Sequence, residues 1–468
     1  MLNNLLLMSD SYKTSHWLQY PAKTTNVYSY LESRGSDEKE LTHTLFFGLQ
    51  YLLKRYLVGK PITLKAIKEA KDYYDMHLGP GIFNEEGWHY IHSVHGGRLP
   101  VSIKAVAEGS FVPTKNVLLT IENTDPKCYW LTNFLETLLC QLWYPITVAS
   151  ISHNMKNTIL GALNKSGDPS LIDFKLHDFG CRGVSSMETA ALGGAAHLIN
   201  FKGTDTVPAL QLLREYYGSQ MAGFSIPAAE HSTITSWSKE GELNAYRNML
   251  EQYPNGLVAV VSDSYDIYNA VKRMWGGTLR DKVIQRNGTL IIRPDSGDPK
   301  KVVPDLLDLL GTRFEVVTND KGYKVLDNHV RLIQGDGIDR NSLKGILDAI
   351  MDRGWSADNI AFGSGGGLLQ QCNRDTMKFA FKCSSVVVDG KEQDVQKQPI
   401  TATWKNSKAG RLRLVNDQAF KTINSSTWAT VNQADLIFHN IKDNLIEVFR
   451  DGNLLVDQTL DQIKDRSK

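Results

Sequence analysis

The sequence predicts a mixed α/β protein. An irregular (β/α) barrel-like domain covers residues 151–388, an α+β domain covers 1–150, and a segment over 389–468 returns to that first domain. Three observations carry this reading. Between about 174 and 388 one rhythm repeats, in which a short β-branched or apolar run is followed by a polar turn and then by a segment of helical period. Nearly all of those runs end in Gly, Asp, Arg or Ser. Outside that span the rhythm stops with no Pro-, Ser- or Gly-rich linker, so a change of pattern alone sets the borders.

Taken in order, residues 1–150 mix helix-period stretches (LFFGLQYLLKRYL, ITLKAIKEAKDYYDMH) with short strand runs (NVYSYLES, VSIKAVAEG, VLLTIENT). The barrel strands are then expected in FKLHDFG (174–180), LINFKGTDT (198–206), GFSIPA (223–228), VAVVSDS, TLIIRPD, VRLIQGDG, NIAFGSGGG (359–367) and FAFKCSSVVV (379–388). That is about eight, the number such a barrel uses. The clearest complete strand–loop–helix units are 258–275, 289–311 and 330–354. Beyond about 389 GRLRLVN, STWAT and LIEVFRDGNLLVD read as strands joined by Gly, Asn and Asp turns.

Composition excludes several classes of function. The 468 residues carry 52 Lys plus Arg against 51 Asp plus Glu, a net charge of +1. No global charge therefore recruits nucleic acid or an anionic membrane surface, and any phosphate binding must be local. Five widely spaced cysteines without a C-x-x-C pair indicate neither a disulfide framework nor a zinc site. The N-terminus lacks the pattern of a secretory signal, and no run reaches the roughly 18 apolar residues of a membrane span. The expectation is a soluble, cytoplasmic protein.

The strand ends carry the chemistry, as they do in barrels of this type. NIAFGSGGGLLQ runs from a strand into Gly363, Gly365, Gly366 and Gly367 and then into a helical pattern, so backbone N–H groups can approach a phosphate. It is neither a Walker motif nor a dinucleotide fingerprint. Gly335 and Asp336, at the neighbouring strand end, offer a further donor and a carboxylate. Arg293 and Asp295 stand two apart at another end, so both can face one cavity; a purely local ion pair is the alternative. Carboxylates such as Asp295 and Asp336 suit sugar hydroxyls or a Mg²⁺ shell. HDFGCRG presents Phe179, which is either a stacking face for a flat ring or a core side chain, together with Arg182. Asp205 and Ser225 are further cavity candidates. His231, followed by Ser and Thr, opens a helix, and Asp263 or Asp266 could orient it as a nucleophile.

Ten blocks in one order, among them SDSYKTSHWLQYP, KLHDFGCRGVSS, NFKGTDT, SIPAAEHSTIT, VVSDSYDIYNA, IIRPDSG, QGDG and FGSGGGLLQ, resemble the nicotinamide phosphoribosyltransferase family from about residue 5 to 455. The resemblance implies the barrel-like fold of the type II phosphoribosyltransferases. It also implies transfer of 5-phosphoribosyl from 5-phosphoribosyl 1-diphosphate (PRPP) to nicotinamide in NAD salvage, with Mg²⁺, with ATP as a coupled co-substrate, and in a homodimer with active sites at its interface. Phe179, and Tyr12 of the partner subunit, would hold the pyridine ring, with Arg182 and Ser225 lining the pocket and Asp205 accepting the carboxamide N–H. Arg293, Asp295, Gly335, Asp336, Gly365 and Gly366 would hold the ribose 5-phosphate. Arg34, Arg374 and Lys382 would receive the diphosphate. His231 matches the phosphohistidine position, Asp266 and Asp295 are catalytic candidates, and Asp295 is also a Mg²⁺ ligand candidate. Cys181 stands where animal members carry Tyr, and segment 35–42 is short. Two rivals are a nicotinate phosphoribosyltransferase of the same fold and a non-catalytic binding or signalling protein.

Overall fold

The computed structural model describes residues 3–401, 406–418, 426–435 and 440–468. They form two compact units. One comprises residues 151–215 and 219–371, and the other comprises 1–150, 216–218 and 372–468.

The first of these holds six parallel strands: β1 (Leu176–Asp178), β2 (Gly203–Thr204), β3 (Val258–Val261), β4 (Leu290–Arg293), β5 (Val330–Gln334) and β6 (Ile360–Ser364). They lie in the order β2-β1-β6-β5-β4-β3. Parallel strands covered on both faces read as continuous apolar runs, and all four residues of β3 are buried. The amphipathic helices between strands bury one stripe each. Helix Ser342–Asp352 buries Leu343, Ile346, Leu347, Ile350 and Met351, the i, i+3, i+4 spacing of a single face. Helix Pro299–Gly311 starts where Asp298 accepts the Lys300 N–H and Pro stands in the first turn.

Residues 223–229 join the two free edges of this sheet. Phe224 bridges Gly203 in β2, and Ala228 bridges Ala259 in β3. Four backbone hydrogen bonds make the junction: Phe224 N–H to Lys202 (2.7 Å), Thr204 N–H to Phe224 (3.0 Å), Ala229 N–H to Ala259 (2.9 Å) and Ala259 N–H to Pro227 (2.9 Å). At the opposite end of the strands the buried Lys175 ammonium donates to the carbonyls of Ala357 (3.1 Å), Asp358 (3.0 Å) and Ile360 (2.9 Å), fixing the start of β6 against β1. Burial pulls that ammonium down to about 7.

Among the described residues the second unit is built on an antiparallel sheet of seven strands, in the order 391–394, 379–388, 24–33, 117–123, 101–105, 446–450 and 453–454. The strand Ile446–Arg450 pairs with Val101–Ala105. The run 379–388, expected as the last barrel strand, is corrected here: it pairs antiparallel with Thr24–Ser33 over nearly its whole length. Strand composition does not encode the partner, and between β6 and this run only the four-residue turn Gly366–Leu369 is helical, where a parallel neighbour of β6 would need a crossover helix. In the same unit Glu108 is buried and accepts the Gln50 N–H at 2.7 Å; burial pushes its carboxyl up to about 7.

The helical stretch Pro126–Ser166 is long and apolar enough by composition to cross a membrane. Within the protein 72 % of its apolar window is buried, so packing accounts for its apolarity.

Candidate active site

The polar ends of β1 to β6 assemble three connected groups of side chains. The first surrounds Phe179. Beyond β1 the Phe179 N–H donates to the Ser364 carbonyl at 3.0 Å, which keeps the chain beside β6 for one more residue. The half-buried ring lies 5.5 Å from the Arg293 guanidinium and 5.2 Å from the His177 ring. A Cβ on Gly363 would lie 1.9 Å from Phe179 Cε2, so glycine at 363 is what admits the ring. Gly335 borders the same place, with Arg293 Nε and Phe179 Cε2 each 3.4 Å from where its Cβ would be.

Asp205 is the centre of the second group. Its N–H is held by the Asp178 carbonyl (2.9 Å), and the buried Asp178 carboxylate in turn accepts the Gly180 N–H (2.7 Å). Burial raises the Asp178 carboxyl above its ordinary range. At Asp205, His177 Nε2 (3.2 Å) and the Ser225 hydroxyl both approach Oδ1, leaving Oδ2 without a partner among the described residues. Burial opposes ionisation of Asp205. The hydrogen bonds from His177 and Ser225, and the charges of His177 and Arg293, outweigh it and hold this carboxyl below its usual range. The site therefore presents one charged carboxylate oxygen without a protein partner among the described residues, on a residue held by His177, whose ring lies 5.2 Å from that of Phe179. Ser225 comes from the 223–229 junction, so sequence distance hid its contact with Asp205.

The third group links His231, Asp263 and Asp295. His231 is the first residue of helix His231–Thr235, and its Nε2 lies 3.1 Å from Asp263 Oδ1. The expectation for Asp266 is corrected: it caps the next helical turn by accepting the Asn269 N–H at 3.0 Å, while Asp263 meets the imidazole. Both sit in SDSYD, and only Asp263 is near enough to the end of β3 to face the neighbouring strand end. Arg293 donates to Asp295 Oδ1 from Nη2 (2.8 Å) and Nε (3.2 Å). The local ion pair thus exists, and it engages only Oδ1, leaving Asp295 Oδ2 without a hydrogen-bond partner among the described residues. A carboxylate oxygen of this kind is a hard donor, the type of ligand that a Mg²⁺ ion takes.

At the glycine run, Gly367 is required by the Ile338 carbonyl, 2.6 Å from where its Cβ would be. A Cβ on Gly365 or Gly366 would meet nothing closer than 3.5 Å, an ordinary contact, so crowding within the protein does not demand glycine at either. They border a four-residue helical turn, Gly366–Leu369. Asp336 is exposed beside Gly337, whose φ of 69° suits glycine. Arg182 is exposed on the turn Cys181–Gly183.

In the other unit the charges of Arg34 and Lys13 reach Lys382, and those of Arg374, Lys382 and Lys13 reach Cys140, so these cations lie in one neighbourhood; sequence reasoning missed Lys13. Lys13 is buried and paired with Glu136. Burial pulls the Lys382 ammonium down, the charges of Arg34 and Lys13 add to this, and Glu136 opposes it. Arg34 Nε lies 3.3 Å from Glu32, while its Nη2 is buried and unpaired among the described residues. Arg374 is exposed. Such an excess of cations suits an anion. Tyr12 is 57 % exposed and packs edge-on to His16 at 5.0 Å. A signal for Lys13 was present: it directly follows Tyr12 in SDSYK.

One other group offers potential metal ligands among the described residues, His95, Asp125 and Cys128. Local structure explains it. Asp125 caps the turn containing Cys128 through Lys127 N–H (2.8 Å) and accepts from Tyr90 (3.0 Å) and His95 (2.8 Å), so its oxygens are already used.

Comparison with known proteins identifies the lineage. Residues 174–450 match the model of the nicotinate phosphoribosyltransferase (NAPRTase) family, and residues 4–103 match that of the nicotinamide phosphoribosyltransferase N-terminal domain. The chain is 52 % identical to a nicotinamide phosphoribosyltransferase of Xanthomonas campestris over 99 % of its own length and 98 % of that protein. It is 32 % identical to one from Acinetobacter baylyi, over 99 % and 97 % of the two chains. In fold it is similar to the nicotinate-nucleotide pyrophosphorylase of Pyrococcus furiosus (TM-score 0.61, 14 % identity, 100 % and 95 % coverage). It is also similar to human nicotinic acid phosphoribosyltransferase (TM-score 0.58, 15 % identity, 98 % and 93 % coverage). With these matches spanning both units, the chain belongs to the nicotinate phosphoribosyltransferase family, among its nicotinamide phosphoribosyltransferases.

Proposed function

We propose that the protein transfers the 5-phosphoribosyl group of PRPP to nicotinamide, releasing diphosphate and nicotinamide mononucleotide. The observation that supports the choice of pyridine is the free Oδ2 of an ionised Asp205, held by the His177 that also neighbours the Phe179 ring. A carboxylate oxygen accepts an amide N–H and repels the carboxylate of nicotinate, so one group both attracts the first substrate and rejects the second. The pyridine nitrogen is already a nucleophile and needs no general base. As the bond from ribose C1 to diphosphate lengthens, positive charge develops on the sugar, as in glycoside cleavage. Arg293, Asp295, Gly335, Asp336, Gly365 and Gly366 are proposed to fix the ribose phosphate, so the protein contributes mainly orientation and charge stabilisation. Arg34, Arg374, Lys382 and Lys13 are proposed to receive the diphosphate. Asp295 would hold Mg²⁺, and the ion would supply charge neutralisation of the leaving group.

ATP is proposed as a co-substrate through His231. Because Asp263 holds Nε2, Nδ1 is the nitrogen left to attack the γ-phosphorus. ADP departs as the N–P bond forms. Water later cleaves that bond, giving phosphate and the free imidazole. A homodimer with shared sites accounts for the exposed Tyr12, since Tyr12 of the partner subunit would close over the ring. A cytoplasmic setting accords with such chemistry.

The test is a product assay with PRPP, Mg²⁺ and each pyridine, with and without ATP. Preferential formation of nicotinamide mononucleotide is expected. Equal or greater turnover of nicotinate would replace the amide reading by the acid one, and no product from either would favour a binding protein. Mixing a Tyr12→Ala protein with a Phe179→Ala protein should restore part of the activity if sites are shared between subunits; no recovery after subunit exchange would reject shared sites.

A further inference from the structure

The His231 imidazole and the Arg293–Asp295 pair sit at the ends of different elements, yet one carboxylate joins them. Asp263, whose side chain is only 5 % exposed, receives His231 Nε2 on Oδ1 (3.1 Å). On Oδ2 it accepts the Asp295 N–H (3.1 Å) and the Ser296 hydroxyl (2.5 Å). The backbones of β3 and β4 remain joined as far as Ser262 N–H to the Arg293 carbonyl (3.0 Å). Past that point the two loops are connected, among the described residues, through the Asp263 side chain. From Asp295 the connection continues through Arg293 to the Phe179 ring, 5.5 Å from the guanidinium.

We infer that Ser296 is a positioning residue that ties the state of His231 to the loop presenting Asp295. This rests on the proposal that ATP phosphorylates His231. Ser296 exchanges no proton with substrate and makes no bond to phosphorus; its hydroxyl fixes which way the Asp263 carboxylate faces. Phosphorylation at Nδ1 makes the ring more cationic, so the Nε2–H donates more strongly to Oδ1. Because Oδ2 of the same rigid carboxylate is held by both Asp295 N–H and Ser296 Oγ–H, a shift of the carboxylate toward the imidazole moves the loop with it. Without the hydroxyl, only one backbone N–H remains to transmit that shift. ATP would then be hydrolysed without the loop following.

The experiment measures ATP hydrolysed per nicotinamide mononucleotide formed, and the effect of ATP on the PRPP KM, in the full-length enzyme. The proteins compared are the unmodified enzyme, Ser296→Ala, Ser296→Thr and His231→Ala. Ser296→Ala should raise the ATP-to-product ratio about fivefold, the order expected for one lost hydrogen bond, and shrink the effect of ATP on KM. Ser296→Thr, which keeps the hydroxyl, should restore both. An unchanged ratio in Ser296→Ala, or no restoration by Thr, overturns the relay. If His231→Ala loses stimulation by ATP while Ser296→Ala keeps the normal ratio, the relay alone fails. If His231→Ala is still stimulated, the phosphohistidine proposal fails with it.

Discussion

Replacing Asp205 by Asn tests the proposed basis of pyridine choice with little change of shape. In the native site His177 and Ser225 both point donors at Oδ1. An asparagine satisfies those donors only by turning its carbonyl oxygen toward them, which puts its NH₂ where the free Oδ2 stood. The nicotinamide N–H then faces a donor, and the charge-assisted hydrogen bond is lost. Such bonds contribute about 1.5–3 kcal/mol, or roughly 10- to 150-fold. The Asp205 side chain is 46 % exposed, so solvent screening places the loss near the lower end, about tenfold in kcat/KM for nicotinamide. For nicotinate the sign reverses, because a repelling carboxylate becomes a donor, and its kcat/KM should rise. The assay separates the two mononucleotides chromatographically, with PRPP saturating and each pyridine varied. A ratio of the two kcat/KM values that matches the unmodified enzyme would refute the role given to Asp205.

In His231→Ala the ratio of rates with and without ATP should fall to about one; a retained ratio removes this histidine from the ATP step. Gly363→Ala should displace the Phe179 ring, because its Cβ would lie 1.9 Å from Cε2. Overpacking of this kind costs about 1–3 kcal/mol, to be read as a lower Tm with a raised nicotinamide KM. Gly366→Ala meets nothing within the protein closer than 4.0 Å, so it should keep the parent Tm, and a raised PRPP KM would report the substrate phosphate. Glu108 has a folded-state carboxyl pushed up to about 7 from an ordinary 4.5. The folded protein therefore binds that proton more tightly than the unfolded chain. Its contribution is full below pH 4.5 and is lost as pH rises through about 7, a change of roughly 3 kcal/mol. Glu108→Gln should flatten the fall of Tm over that window, and an unaltered slope would show that another group controls it.

Much of the barrel-like unit was legible because its code is local. Short apolar runs such as Val258–Val261, each followed by a turn and an amphipathic helix, report a parallel strand and its crossover without knowledge of the partner. The pairing of 379–388 was not legible, since its partner, 24–33, lies some 350 residues away in sequence and both runs read as ordinary strands. Within the candidate site, Phe179, Arg293 and Asp295 could be found from their position at strand ends. The preference of His231 for Asp263 over Asp266 could not, because three residues of loop decide which carboxylate faces the neighbouring strand and which caps a turn. Lys13 escaped notice for a related reason. A lysine in a short helix near the N-terminus reads as a solvated surface charge until burial against Glu136 is seen.

The 223–229 junction makes the barrel-like sheet a ring with one weak seam. Where the other neighbours share regular ladders, this closure consists of two isolated bridges and four backbone hydrogen bonds. Ser225 lies within the seam, and His231 follows two residues after its last hydrogen-bonded residue, Ala229. A pyridine gripped between Phe179 and the Asp205–Ser225 pair would act as a staple across one lip. Ligand occupancy and ring closure then become a single equilibrium. Slow amide hydrogen exchange at Phe224 and Ala229 would be a direct gauge of how full the site is.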